Sequence, residues 1–263
     1  MPPITQSQLK RLRKLDTRHG RTKEGCFIVE GTRAVEAALQ HGGRLAELLV
    51  ATSAFLASPD WSRLRPLVES LNLEAQEISA AELAGLADTE TPSGILCMMR
   101  YPESLADITG APPDPVVLVL DRIQDPGNLG TMLRTAWAVG LTQVWLTTGC
   151  TDPFAPKGIR AGMGAQFALS LREFPSLEAV RACLLQYGYN NLWLAGPRGE
   201  LTVFGEGYDP RRAGIVIGNE ANGIQPDAPG TWVSIPMRGH AESLNAAQAA
   251  TVFLFDAVRR GIL

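Results

Sequence analysis

Three short segments of this chain place polar side chains where an apolar strand gives way to a loop, the position at which open α/β sheets hold their ligands. The first runs Asp121-Arg-Ile-Gln-Asp-Pro-Gly-Asn-Leu-Gly-Thr-Met-Leu-Arg134. The strand VVLVLD ends at Asp121, a Pro-Gly turn follows, and a helix is expected from about 128 to 139, with Asn128 as its N-cap. Leu129, Leu133, Ala136, Trp137 and Gly140 form that helix's inward face; Arg134 falls about 100° from Leu133, at the edge, where a guanidinium can line a site. In the second segment, Ile215 to Ile224, a buried strand runs into Gly218, Asn219, Glu220 and Gly223. Glycines there let backbone approach a ligand, and a carboxylate at the end of a buried strand is costly unless it is paired. The competing reading is a polar turn whose Glu220 caps the next element. The third segment runs from Ile235 to Gln248, with Met237 in its loop and Ser243, Leu244 and Asn245 opening a C-terminal helix. Asn245 and Gln248 have capping-box spacing, and Ala246, Ala247, Ala249 and Ala250 suit tight helix packing, so capping and packing alone remain open for this segment.

The elements that must position these segments follow from periodicity. Ahead of residue 102 the pattern is a basic helix over 7–18, strand 26–30, helix 32–41, strand 45–51, helix 61–71, a strand near 77–79, helix 80–86 and strand 94–100. Residues 102–115, with four prolines, one glycine and three acidic residues, read as a linker. Beyond it come strands 116–121, 143–147, 167–171, 191–196, 214–218 and 232–236, with helices near 128–139, 156–162, 176–187 and 246–260. Apolar strands alternating with helices imply an α/β fold with a parallel sheet covered on both faces. The expected domains are therefore 1–101 and 116–263.

Composition bounds the function. With 45% hydrophobic and 19% charged residues in 263, the chain has material for two ordinary cores. No run approaches a membrane span, and the basic N-terminus lacks the apolar stretch of a secretory signal. Cys26, Cys97, Cys150 and Cys183 are scattered, and His19, His41 and His240 have no ligand-like neighbours, so no metal is expected and a reducing cytoplasm is the expected compartment. The net charge is −3, yet residues 9–33 hold eight basic against three acidic side chains. Lys10, Arg11, Arg13, Lys14, Arg18, Arg21 and Lys23 form a basic stripe that suits phosphate contact, with a solvated helix as the bland alternative.

Taken together, D-x-x-x-D-P-x-N-x-G-x-x-x-R, I-G-N-E-x-x-G and I-P-M-x-G-x-x-x-S-L-N-x-A resemble, in order and spacing, the three motifs of the SpoU (TrmH-like) RNA methyltransferases of the SPOUT superfamily. Pro156, Arg160, Ala161, Met163, Gly164 and Ala165 are similar to the family's second strand–helix connection, and 25–31 with 89–95 resemble the small substrate-binding domain that precedes many such enzymes. The resemblance implies a C-terminal trefoil knot, a homodimer with its site completed across the interface, and S-adenosyl-L-methionine held largely by backbone. It also implies residues: Gly218, Asn219, Ile235, Met237 and Leu244 around the cofactor, and Asn128, Arg134, Glu220, Ser243 and Asn245 around the reacting ribose.

That chemistry suits the residue types. A ribose 2′-hydroxyl must lose its proton as it attacks a sulfonium methyl, so the reaction needs fixed geometry and a proton acceptor. Arg134 is the implied base, although a guanidinium holds its proton to above about pH 12, which leaves orientation of the hydroxyl or of a phosphate as its alternative role. The expected function is 2′-O-methylation of ribosomal RNA, of the large-subunit kind, ahead of tRNA. The rivals are a non-catalytic RNA-binding protein, a base methyltransferase, and a small-molecule enzyme, which would want a phosphate loop that the sequence lacks.

Overall fold

The computed structural model describes residues 1–102, 112, 114–197 and 199–263. They form two compact units, 1–102 with 154–167, and the remainder from 112 onward.

In the first unit α1 (Gln6–Lys14), α2 (Arg18–Glu24), β1 (Cys26–Glu30), α3 (Thr32–Gly42), β2 (Ala46–Ala51), α4 (Ser53–Leu56), α5 (Pro59–Ser70), β3 (Ala75–Glu77), α6 (Ala80–Ala84) and β4 (Ile95–Arg100) build a sheet of order β1-β4-β2-β3. The basic helix expected over 7–18 ends at Lys14, and a second helix starts at Arg18. Leu15 closes α1, and Thr17 caps α2 by accepting from Gly20 N. Leu9, Leu12 and Leu15 go inward onto Leu48, Leu96 and Met98.

Residues 154–167, read from the sequence as a step between catalytic strands, belong to this first unit. Phe154 and Phe167 pack on Phe27, with ring centroids 4.7 and 6.1 Å away. A β-carbon on Gly164 (φ 95°) would stand 2.5 Å from the Ala37 β-carbon, so the glycine permits that close approach. This stretch comprises the helix Pro156–Gly162 and the helical turn that follows it.

The second unit continues with β5 (Val116–Leu120), α7 (Pro126–Ala138) and β6 (Gln143–Thr147); then α8 (Pro156–Gly162) and α9 (Ala165–Ala168) make the excursion just described. It resumes with β7 (Ser170–Phe174), α10 (Leu177–Gln186), β8 (Asn191–Ala195), β9 (Leu201–Thr202), β10 (Ala213–Ile217), β11 (Thr231–Ser234) and α11 (Ala246–Arg259). The sheet order is β7-β6-β5-β10-β8-β11-β9, and every pair is parallel. β5, β6 and β10 are buried along their whole length, the signature of a parallel sheet covered on both sides. The strand expected at 167–171 lies three residues later, because Ala165–Ala168 take a helical turn first.

Topology sets the site. From β5 the chain goes outward through β6 to β7, then returns to lay β10 on β5's other side, so the order reverses between β5 and β10. Ligands in such sheets bind past the carboxyl ends of the strands at the reversal. Leu120 is in register with Ile217, and Asp121 N donates to Ile217 O at 2.8 Å, so the loops at 121 and 218 start side by side.

Candidate active site

The helix after β5 begins earlier than its sequence suggested. Asp125, not Asn128, is the N-cap, with Oδ1 accepting from Asn128 N at 2.8 Å, and Pro126 occupies the first turn. The Asp-Pro pair was the legible signal for this start. The earlier start releases the Asn128 side chain for other work. Its Nδ2 donates to Glu220 Oε1 at 3.0 Å, and its Oδ1 accepts from Asn245 Nδ2, also at 3.0 Å. Glu220 takes two further bonds, from Gln124 N at 3.1 Å and Asp125 N at 3.2 Å. Partial burial pushes its carboxyl up, but the hydrogen bonds from Asn128, Gln124 and Asp125 outweigh burial and hold it below the usual carboxylate value. Glu220 thus ties its own loop to the start of α7 rather than capping the element that follows it.

Asn245 caps α11, its Oδ1 accepting from Ala247 N at 2.9 Å and Gln248 N at 3.3 Å. Three loops from distant parts of the chain are joined by one run of polar contacts. Asn219 secures the second loop from within: its Oδ1 accepts from Ala221 N and Asn222 N, and its Nδ2 donates to the Arg122 carbonyl at 2.9 Å.

These loops wall a cavity of about 1150 Å³ whose lining includes Asn128, Gly218, Asn219, Glu220, Ile235, Met237, Ser243, Leu244 and Asn245. All five residues expected at the cofactor are therefore gathered there, as are four of the five expected around the ribose. Ser243 is exposed, and its hydroxyl has no hydrogen-bond partner among the described residues. Sequence reasoning missed Gly196, Trp232, Glu242 and Phe253, which also line it. Only Gly196, one residue beyond its strand, carried a signal. A polar recess of about 630 Å³, bounded by Gln124, Asp125, Asn128, Asn222 and Asn245 among others, adjoins the same loops.

Arg134 stands apart. It is exposed, has no bond partner among the described residues, and does not line the cavity. Six residues beyond Asn128, it is displaced about 9 Å along the helix and about 240° around it, so one helix cannot aim both side chains into one recess. The basic stripe also divides. Lys10, Arg13, Arg18 and Lys23 are exposed, and so is Lys14, which bonds Glu24 at 2.7 Å. Arg11 pairs with Glu24 and Glu47. Arg21 is only 5% exposed and donates to the Leu15 and Asp16 carbonyls, so it is a framework residue rather than a surface contact. Among the described residues no helix is long and apolar enough to cross a membrane.

The cavity suits S-adenosylmethionine by the chemistry of its walls. Ile235 and Leu244 offer apolar surface to a purine, in a wall that also holds the buried Ile217, Ile224 and Phe253. A β-carbon on Gly218 would stand 2.6 Å from Ile224 N, so the glycine lets the two ends of the 218–224 turn close on each other. Glu220 and Glu242 bring negative charge to a site for a positively charged donor.

A cavity at the switch point of a parallel α/β sheet, walled by three polar loops, is where enzymes of this class hold their ligands. The SpoU rRNA methylase family model matches residues 115–255, and an MRM3-like substrate-binding domain matches residues 6–97. The chain is 30% identical to 23S rRNA (guanosine(2553)-2′-O)-methyltransferase RlmP of Bacillus subtilis, covering 94% of both chains. It is also 30% identical to 23S rRNA (uridine(2479)-2′-O)-methyltransferase of Streptomyces viridochromogenes, covering 94% of this chain and 88% of the relative. The structure of the SpoU methyltransferase AviRb from that organism, in complex with AdoMet, superposes with a TM-score of 0.83 at 27% identity, over 98% of this chain and 99% of the other. The chain belongs to the SpoU rRNA methylase family.

Proposed function

We propose that this protein transfers a methyl group from S-adenosylmethionine to a ribose 2′-hydroxyl of large-subunit ribosomal RNA, as a cytoplasmic homodimer whose C-terminal unit is a trefoil knot. The observation that carries the reading is the Glu220–Asn128–Asn245 run, which draws the three motif loops around one cavity. Both RlmP and the Streptomyces relative are named as 23S rRNA 2′-O-methyltransferases, which favours ribosomal RNA over tRNA.

The donor, when bound, supplies a methyl on a cationic sulfur. The chain's residues do the rest. Asn128 and Asn245 fix the loops so that acceptor and donor meet in line, and Ser243 offers a hydroxyl for hydrogen bonding to the ribose. Arg134 positions the 2′-hydroxyl or its phosphate through the planar donor fork of its guanidinium. Arg134 does not line its own chain's cavity, and a second copy that brought it to the site would reconcile its position with its role, which favours the dimer. Lys10, Arg13, Lys14, Arg18 and Lys23 supply a phosphate-binding face on the first unit, with Arg11 beside them.

The test is methyl transfer from radiolabelled S-adenosylmethionine to unmodified rRNA and tRNA, and to ribosomal particles, with wild type and Arg134→Ala. The expected result is label in a 2′-O-methyl nucleoside of large-subunit rRNA, lost in the variant while the donor still binds. Label on a base, or a wild type that neither transfers label nor binds the donor, would overturn the reading.

A further inference from the structure

Arg122 lies between two of the loops that wall the cavity. Its φ is 53°, in the left-handed region that disfavours a β-carbon, and such a backbone persists only where its surroundings over-determine it. Here they do. Arg122 N donates to Thr147 Oγ1 at 3.1 Å, and its carbonyl accepts from Asn219 Nδ2 at 2.9 Å. Its Nε and one Nη donate to Asp121 Oδ2 at 3.1 and 2.9 Å, and that same Nη donates to the Gly223 carbonyl at 3.2 Å. Asp121 is 4% exposed. Its other oxygen accepts from the Thr147 hydroxyl at 2.8 Å, so both oxygens are engaged and the guanidinium's direction is fixed.

Asn219 and Gly223 are the two ends of one tight turn, closed by Gly223 N donating to Asn219 O at 2.9 Å. A single residue therefore grips both ends, by its main chain at Asn219 and by its side chain at Gly223. Every residue from Gly218 to Ile224 lines the cavity, whereas Arg122 does not. We propose that Arg122 is a positioning residue for donor binding, setting the 218–224 turn against the 121–125 loop without itself reaching the donor. The proposal rests on the reading of this cavity as the methyl-donor site. Lysine is a poor substitute, because a compact ammonium lacks the planar fork that addresses a carboxylate and a carbonyl together.

The test titrates S-adenosylmethionine calorimetrically into full-length wild type, Arg122→Gln and Arg122→Lys, with melting temperatures and steady-state kinetics alongside. Arg122→Gln should bind the donor about tenfold more weakly, the loss of roughly one hydrogen bond from a charged group. Its kcat at saturating donor and its KM for RNA should stay within about twofold of wild type, with Arg122→Lys intermediate in donor affinity. A merely structural role would lower the melting temperature and the folded fraction but leave the donor Kd of the folded fraction unchanged; that result overturns the proposal. A rise in KM for RNA with donor affinity intact overturns it too. Should Arg122→Gln not fold, Arg122→Lys decides, since a folded lysine variant with wild-type donor affinity overturns it. Wild type that fails to bind the donor at all would instead refute the cavity reading itself.

Discussion

Replacing Asn128 by aspartate changes one atom's chemistry and almost no volume, which makes it the sharpest probe of the site. Nδ2 donates to Glu220 Oε1 at 3.0 Å, and Asn128→Asp puts an oxygen in its place while keeping the acceptor that Asn245 uses. Two carboxylate charges at that separation repel by about 1.4 kcal/mol in water and about 5.5 kcal/mol at an effective dielectric constant near 20. Glu220 is exposed and Asn128 half-buried, so the lower half of that range applies. Repulsion of about 2–3 kcal/mol, plus about 1 kcal/mol for the lost hydrogen bond, gives a kcat/KM several hundredfold below wild type near pH 8.5. Asn128→Ala loses two hydrogen bonds but adds no charge, and should fall only about thirtyfold. The sign of the pH dependence separates the two. In wild type the Glu220 carboxyl is held below its ordinary 4.5, so its contribution is in place at neutral pH and is lost only as pH falls through that depressed value. In Asn128→Asp the like charges raise the pair's upper titration, and below it one proton restores an O–H donor. Its kcat/KM relative to Asn128→Ala should therefore recover as pH falls from about 8.5 to about 6. Methyl transfer measured across that range for all three proteins is the assay. An aspartate variant no worse than the alanine one at the alkaline end, or a pH-independent ratio between them, would refute the argument.

Two further perturbations separate framework from function. Asn245→Ala removes the α11 cap and should cost about 1 kcal/mol, or about 2–4 °C in melting temperature by calorimetry. Asn245→Ser keeps a capping oxygen and should hold that temperature, yet lose about fivefold in methyl transfer because nothing then donates to Asn128. Arg21→Ala strands the Leu15 and Asp16 carbonyls and should destabilise the protein by about 2 kcal/mol, leaving the salt dependence of RNA binding unchanged. Arg13→Ala or Lys23→Ala should do the reverse, with normal melting and a log K against log salt slope shallower by about 0.7–0.9 for each phosphate left without its cation, read by filter binding.

The strands were legible because a parallel sheet demands unbroken apolar runs, and VVLVL and GIVI leave no other reading. Helix starts were legible where a capping residue stood alone. At α7 the expected cap, Asn128, lies inside the helix; Asp125 is the cap, and the proline beside it has the fixed φ that suits the first helical turn. The Arg21 burial was illegible because charge counting treats all cations alike, while burial depends on which carbonyls the α1–α2 junction leaves open. The membership of 154–167 was hidden for a different reason. Pro156 and Gly162 read correctly as the bounds of a helix, but a strand–helix–strand pattern says nothing about which core a helix joins; Phe154 and Phe167 against Phe27 decide that. Arg122 gave no signal at all, for a left-handed arginine follows from its neighbours' bonds and not from its own propensity.

The polar run also explains the residue types in the motifs. Backbone N–H groups at the positive end of α11 donate to Asn245 Oδ1; Asn245 Nδ2 donates to Asn128; Asn128 Nδ2 donates to Glu220. The sequence of donors runs one way, from a helix N-terminus to an anion that also collects two backbone N–H bonds from the loop before α7. Each interior member must accept on one side and donate on the other. A carboxylate cannot donate, an ammonium cannot accept, and a hydroxyl has too short a reach to span two loops. A carboxamide meets the requirement with one sp² group, and asparagine stands at both interior positions. Since Glu220 ends the run as an acceptor only, Glu220→Gln is expected to keep an oxygen for Asn128 Nδ2 but to set its amide N–H against the Gln124 N–H, so that this second bond is lost.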